Sequence, residues 1–128
     1  MRFAGYAALF DRPDKGGDVI RRGAFAGCVG KAVPLLWQHQ AGAVIGRVEH
    51  LSEDSRGLRV IAELGDGADA RRAAGLLSGG KVDGLSFGYR VRSAAGNGPY
   101  RELREVELVE VSLVADPMQP KARVHAVE

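Results

Sequence analysis

Cysteine is almost missing from this sequence: Cys28 is the only one. One thiol can form no internal disulfide and no cysteine metal cluster, which fits a reducing compartment. Aromatic residues are sparse at 6%. No lysine- or arginine-rich block carries interleaved aromatics, the arrangement a nucleic-acid surface would need. Neither sign of charge dominates, since 18 basic and 16 acidic residues leave a formal net charge of +2. The pairs Arg21-Arg22 and Arg71-Arg72 are isolated and read as solvated faces rather than phosphate sites. No apolar run approaches the roughly 20 residues that cross a bilayer. The opening residues Met1-Arg2-Phe3-Ala4-Gly5-Tyr6 lack the basic-then-apolar layout of a signal peptide. The histidines His39, His50 and His125 show neither i, i+4 spacing nor cysteine partners, which leaves a zinc site unsupported. These absences lead to an expectation of a cytoplasmic chain without metal, cofactor, membrane or nucleic acid.

What is present is a strand-rich pattern. At 128 residues with 45% hydrophobic content, the chain can bury one core but not two. One domain is expected over residues 1–116, followed by a C-terminal tail over 117–128. Residues 2–10 form an apolar run closed by the turn-rich Asp11-Arg12-Pro13-Asp14-Lys15-Gly16-Gly17. Residues 33–38 read as a strand. Residues 43–51 and 58–63 alternate on either side of the Ser52–Gly57 turn, which predicts a hairpin. Ala70, Ala73, Ala74 and Leu77 recur at helical spacing before Gly79-Gly80, predicting a helix over 69–77. Strands follow over 82–91 and 100–114, separated by a loop over 93–99. The fold class is therefore mainly β with a few helices (α+β), a small closed or partly closed β-barrel of six to seven strands.

Three strand segments carry the chemistry. His39 ends Pro34-Leu35-Leu36-Trp37-Gln38-His39, Ser86 lies in Gly84-Leu85-Ser86-Phe87-Gly88-Tyr89, and Glu110 enters Val109-Glu110-Val111-Ser112-Leu113-Val114. A serine hydroxyl needs a base to take its proton, an imidazole titrates near neutrality, and a carboxylate can orient that imidazole. Each has a plainer reading. Ser86 could be a structural serine in a strand whose flanking glycines admit a close neighbour, His39 a surface histidine at a strand end, and Glu110 the partner of Arg90 or Arg92. Ser112 shares the sheet face of Glu110 and competes with Ser86 for the nucleophile role. The Gly-x-Ser-x-Gly spacing does not make an α/β-hydrolase, whose sheet needs a longer chain.

Over residues 5–117 the ordered set of segments resembles the HK97-type bacteriophage prohead (capsid maturation) serine proteases, relatives of the herpesvirus assemblins. The resemblance runs through Gly5-Tyr6-Ala7, Asp18-Val19-Ile20, Gly23-Ala24-Phe25, Ile45-Gly46 and Gly57-Leu58 as well as the three segments above. It implies a serine endopeptidase acting inside the assembling procapsid in the host bacterial cytoplasm. The implied partners are scaffold protein or the scaffold-like N-terminal segment of the major capsid protein, and the chain itself, with a homo-oligomer as one arrangement. It further implies Ser86 as nucleophile, His39 as general base and Glu110 as the group orienting the imidazole, with Asp116 as substitute. In one respect the sequence departs from the herpesvirus pattern. Where those enzymes carry an arginine pair that serves the oxyanion, this chain reads Ala115-Asp116-Pro117-Met118-Gln119-Pro120, which leaves the oxyanion to backbone N–H groups or another donor. That departure supports the alternative of a non-catalytic capsid-assembly module binding coat or scaffold protein. A serine hydrolase acting on small molecules is a third, weaker alternative.

Overall fold

The chain is described over residues 1–128 by a computed structural model. Its frame is one strongly curled sheet. The strands are β1 (Arg2–Leu9), β2 (Asp18–Ile20), β3 (Val33–Trp37), β4 (Val44–Glu53), β5 (Gly57–Leu64), β6 (Gly84–Asn97), β7 (Tyr100–Val114) and β8 (Val124–Val127), with one helix, α1 (Ala68–Ser78), between β5 and β6. The order across the sheet is β2-β7-β3-β4-β5-β1-β8, and β6 pairs with β7. Most neighbours run antiparallel, but β7 receives both β2 and β3 in parallel, β2 against its start and β3 against its end. The curl brings the two ends of the sheet together. Leu85 N–H donates to Ala122 O at 2.9 Å and Val124 N–H to Asp83 O at 2.8 Å. With the Gly84–Arg123 bridge these bonds tie β6 to the approach of β8 and partly close the barrel.

The core fills the inside of this curl. Ile20, Phe25, Leu35, Ile45, Leu58, Leu85, Leu103 and Leu113 are all fully buried. The expected alternation holds in β5, where Leu58, Val60 and Ala62 face inward. In β4 it breaks: Ile45, Val48 and Leu51 are buried three apart. The register of β4 slips between Val48 and His50 against β5, and that irregularity resets the side-chain period. The expected helix is there, one residue longer at each end, and it buries Ala70, Ala73 and Leu77.

Two segments differ from the sequence reading. Residues 93–97, expected in a loop, continue β6 into a long hairpin with β7 that turns at Gly98, whose φ of 62° is natural for glycine. Residues 117–128, expected as a tail, carry β8, paired with β1. Gln119 holds them down: its side-chain carbonyl accepts from Leu9 N–H at 2.7 Å, and its amide donates to Leu9 O at 2.9 Å and Arg12 O at 3.3 Å. A buried amide satisfied on both ends leaves no periodic apolar trace in the sequence, so no strand is expected there from the sequence alone. No helix is long and apolar enough to cross a membrane.

Candidate active site

The site lies on one face of β6, β7 and β3. In the antiparallel β6–β7 pair, Gly84 stands opposite Val114, Ser86 opposite Ser112 and Gly88 opposite Glu110. Directly opposed residues point to the same face, and successive residues alternate. Leu85, Val111 and Leu113 therefore go into the core, where they are fully buried, while Ser86, Ser112 and Glu110 share the other face. The parallel partner β3 ends at Trp37, so the chain turns at Gln38 and His39 beside Ser112.

That turn is unusual for its residues. Gln38 has φ 51° and His39 φ 60°, left-handed conformations that cost non-glycine residues on the order of 1–3 kcal/mol each. Several bonds hold it. Gln38 N–H donates to Leu113 O at 3.0 Å, and Gln40 N–H to Trp37 O at 3.0 Å. Ala115 N–H donates to the Gln38 side-chain oxygen at 3.0 Å, and His39 N–H donates to Ser112 Oγ at 3.1 Å. The result aims the imidazole back over β7.

There His39 Nδ1 donates to Glu110 Oε1 at 2.5 Å. The other carboxylate oxygen, Oε2, accepts from Ser112 Oγ at 2.7 Å. Glu110 is buried while the His39 side chain keeps 42% of its surface exposed. This explains how a carboxylate tolerates the edge of a core: both of its oxygens are satisfied. The hydrogen bond to Glu110 raises the His39 pKa above its ordinary value, with its charge adding to the effect and partial burial opposing it. With Nδ1 committed as a donor, the neutral ring presents Nε2 as its basic nitrogen.

The structure thus brings His39 and Glu110 into contact and sets Ser86 two strands away from His39 on the same face. The Ser86 hydroxyl is not bound into the His39–Glu110–Ser112 network. Ser86 borders a cavity of about 110 Å³, lined also by Ala7, Asp14, Phe87, Tyr89, Met118 and Gln119. No arginine lines it. Ser112 is fully buried, with its oxygen engaged on two sides, which suits a strut better than a nucleophile. The arginines weighed against Glu110 are occupied elsewhere: Arg90 and Arg92 both pair with Glu107. Asp116 pairs with Lys15. Tyr89 hydroxyl donates to Asp18 at 2.6 Å, and burial followed by that bond pushes its pKa up, so it stays protonated.

The glycines flanking Ser86 have a concrete use. A Cβ on Gly88 would lie 2.4 Å from Glu110 Oε1, the oxygen that holds His39. One on Gly84 would lie 2.6 Å from Val114 O and 2.8 Å from a Pro117 ring carbon. Gly88→Ala is therefore expected to push the carboxylate off the imidazole. The His39 titration of the variant, followed by NMR, should then move down toward the ordinary histidine value, with the thermal transition still present.

The family described as Caudovirus prohead serine protease matches this sequence over residues 1–128. The chain belongs to that family. The prohead protease of Enterobacteria phage HK97 is 33% identical over 97 residues, which are 70% of this chain and 42% of that protein. The chain thus spans less than half the length of this curated prohead protease. Among solved structures, KSHV protease in complex with a hexapeptide phosphonate inhibitor superposes with a TM-score of 0.66 at 15% identity, covering 92% of this chain and 60% of that one. Varicella-zoster virus protease gives 0.51 at 16% identity, covering 86% and 62%. At such identities the structural likeness shows a herpesvirus-protease-like fold. It agrees with the curled barrel expected for the prohead protease family from the sequence.

Proposed function

We propose that this chain is a serine endopeptidase of procapsid maturation, with Ser86 as nucleophile, His39 as general base and Glu110 as the carboxylate that orients and charges-balances the imidazole. The observation that carries the reading is the His39 Nδ1–Glu110 contact of 2.5 Å, on the sheet face that also bears Ser86. Ser86 Oγ attacks the scissile carbonyl and passes its proton to His39 Nε2. The imidazolium so formed is stabilised by Glu110 and returns the proton to the leaving amine, after which water repeats the sequence on the acyl-enzyme. No arginine lines the cavity, so the oxyanion is stabilised by backbone N–H groups or another donor. Ser112 fixes Glu110 on the side away from His39.

The substrate we propose is scaffold protein or the scaffold-like N-terminal segment of the major capsid protein, cut inside the assembling particle. The test is co-expression with the major capsid protein of the same phage or phage-like particle, followed by intact mass of that coat protein. A defined N-terminal loss is expected with the wild type, and none with Ser86→Ala or His39→Ala. Particles that form with uncut coat protein in all three cases would instead indicate a non-catalytic assembly module.

A further inference from the structure

A second concavity lies away from Ser86. A cleft of about 730 Å³ opens between β1, the start of β5 and the approach to β8. Its walls carry five cations, Arg12, Arg56, Arg59, Lys121 and Arg123, and no carboxylate. Only Arg123 has an acidic partner, Asp83 at 2.6 Å. Asp54, beside the cleft, accepts from the Tyr6 hydroxyl and from the N–H groups of Arg56 and Gly57. Partial burial pushes its pKa up, but those bonds and the Arg56 charge hold it down, and it forms no ion pair with the cleft cations. The chain as a whole is close to neutral at +2, so these five charges leave the remaining surface net acidic. Like charges facing one cavity repel, and a bound anion relieves that repulsion.

We propose that this cleft binds an acidic peptide segment of the protein substrate, holding it beside the strand that carries Ser86. Part of the lining is apolar, from Leu9, Phe10 and Val124, as suits the stems and backbone of a peptide. Nucleic acid fits less well. Of the rings on the cleft wall, Phe10 is buried and Tyr6 is covered, with Arg56 above it at 5.5 Å and His125 beside it at 5.8 Å, so only the His125 imidazole is left exposed for base stacking. The position of the cleft ties it to the chemistry: Lys121 precedes Ala122, whose carbonyl receives the N–H of Leu85, the neighbour of Ser86. The catalytic benefit rests on the proteolytic reading above, but binding itself does not.

The experiment uses the Ser86→Ala chain, which cannot cut its probe, and fluorescence anisotropy with a fluorescein-labelled peptide of alternating Glu and Ala. Binding is expected to weaken as salt rises. It should fall at least about tenfold in Arg12→Glu/Arg59→Glu/Lys121→Glu and stay unchanged in Arg71→Glu/Arg72→Glu, whose cations lie on α1. If the triple reversal does not fold, Arg12→Gln/Arg59→Gln/Lys121→Gln gives the same reading. No binding, binding indifferent to the cleft variants, or tighter binding of single-stranded DNA of equal charge would overturn the proposal. A chain that binds the peptide yet never cuts a protein would overturn the proteolytic reading and leave this one standing.

Discussion

Ser86→Ala is expected to abolish proteolysis, lowering kcat by at least about 10³-fold, while the protein melts within about a degree or two of the wild type. The two halves of this expectation have different origins. Losing the nucleophile removes the covalent step, and the His39–Glu110 pair then has no proton to take. The fold loses little because the Ser86 hydroxyl takes no part in the network that ties His39, Glu110 and Ser112 together. Ser112 is the informative contrast. Its hydroxyl accepts from His39 N–H and donates to Glu110, so Ser112→Ala leaves the buried Glu110 carboxylate and the His39 N–H each without a partner and destabilises the chain. A serine-directed phosphonate should label the wild type and Ser112→Thr, and fail on Ser86→Ala. Labelling that survives in Ser86→Ala would move the nucleophile elsewhere.

Glu110→Gln is expected to cost about 10² to 10⁴-fold in kcat/KM and to move the pH profile. A carboxamide can occupy the same space but cannot balance an imidazolium, and it can pair with the wrong ring tautomer. In the wild type the His39 pKa is raised, chiefly by its bond to Glu110. A general base works when neutral, so the acid limb of kcat/KM should have its midpoint above the ordinary histidine value of about 6.5. In the variant that midpoint should move down. Stability has the opposite sense. A group with a raised folded pKa contributes fully below about pH 6.5, and the contribution is lost as pH rises through the folded value. The wild type should therefore lose part of its stability over that window and Glu110→Gln should not. Coincident pH profiles in the two proteins would show that Glu110 does not control His39.

Much of this site could be read from the residues, for identifiable reasons. Ser86 and Glu110 each interrupt an apolar strand and His39 closes an apolar run, and a polar group set in such a stretch needs an explanation. The flanking glycines signalled a close approach, which at Gly88 is that of the Glu110 carboxylate. The helix over 69–77 and the β5 arm of the hairpin were legible because their hydrophobic periods are local, whereas the β4 arm departs from its period at the register slip between Val48 and His50. Other features depended on pairing between distant residues. The parallel docking of β3 on β7 brings residues 35–37 against 111–113, and no local pattern encodes such a pairing. The left-handed turn at Gln38 and His39 has no glycine to announce it. It exists because Leu113, Ser112 and Ala115 reach across to hold it. The role of Gln119 was hidden for the same reason.

The seam between β6 and residues 122–124 also orders events in time. The strand bearing Ser86 meets, along its start, a segment nearly forty residues further on, through the Leu85–Ala122 and Asp83–Val124 bonds. Residues 122–124 follow His39, Ser86 and Glu110 in the sequence, so during synthesis the seam can form only after all three have been made. A ribosome-bound chain that has released only β1 to β7 would hold His39, Glu110 and Ser86 in an unsealed sheet. On the proposed mechanism, competence to cut would then arrive only once residues 122–124 dock against the start of β6.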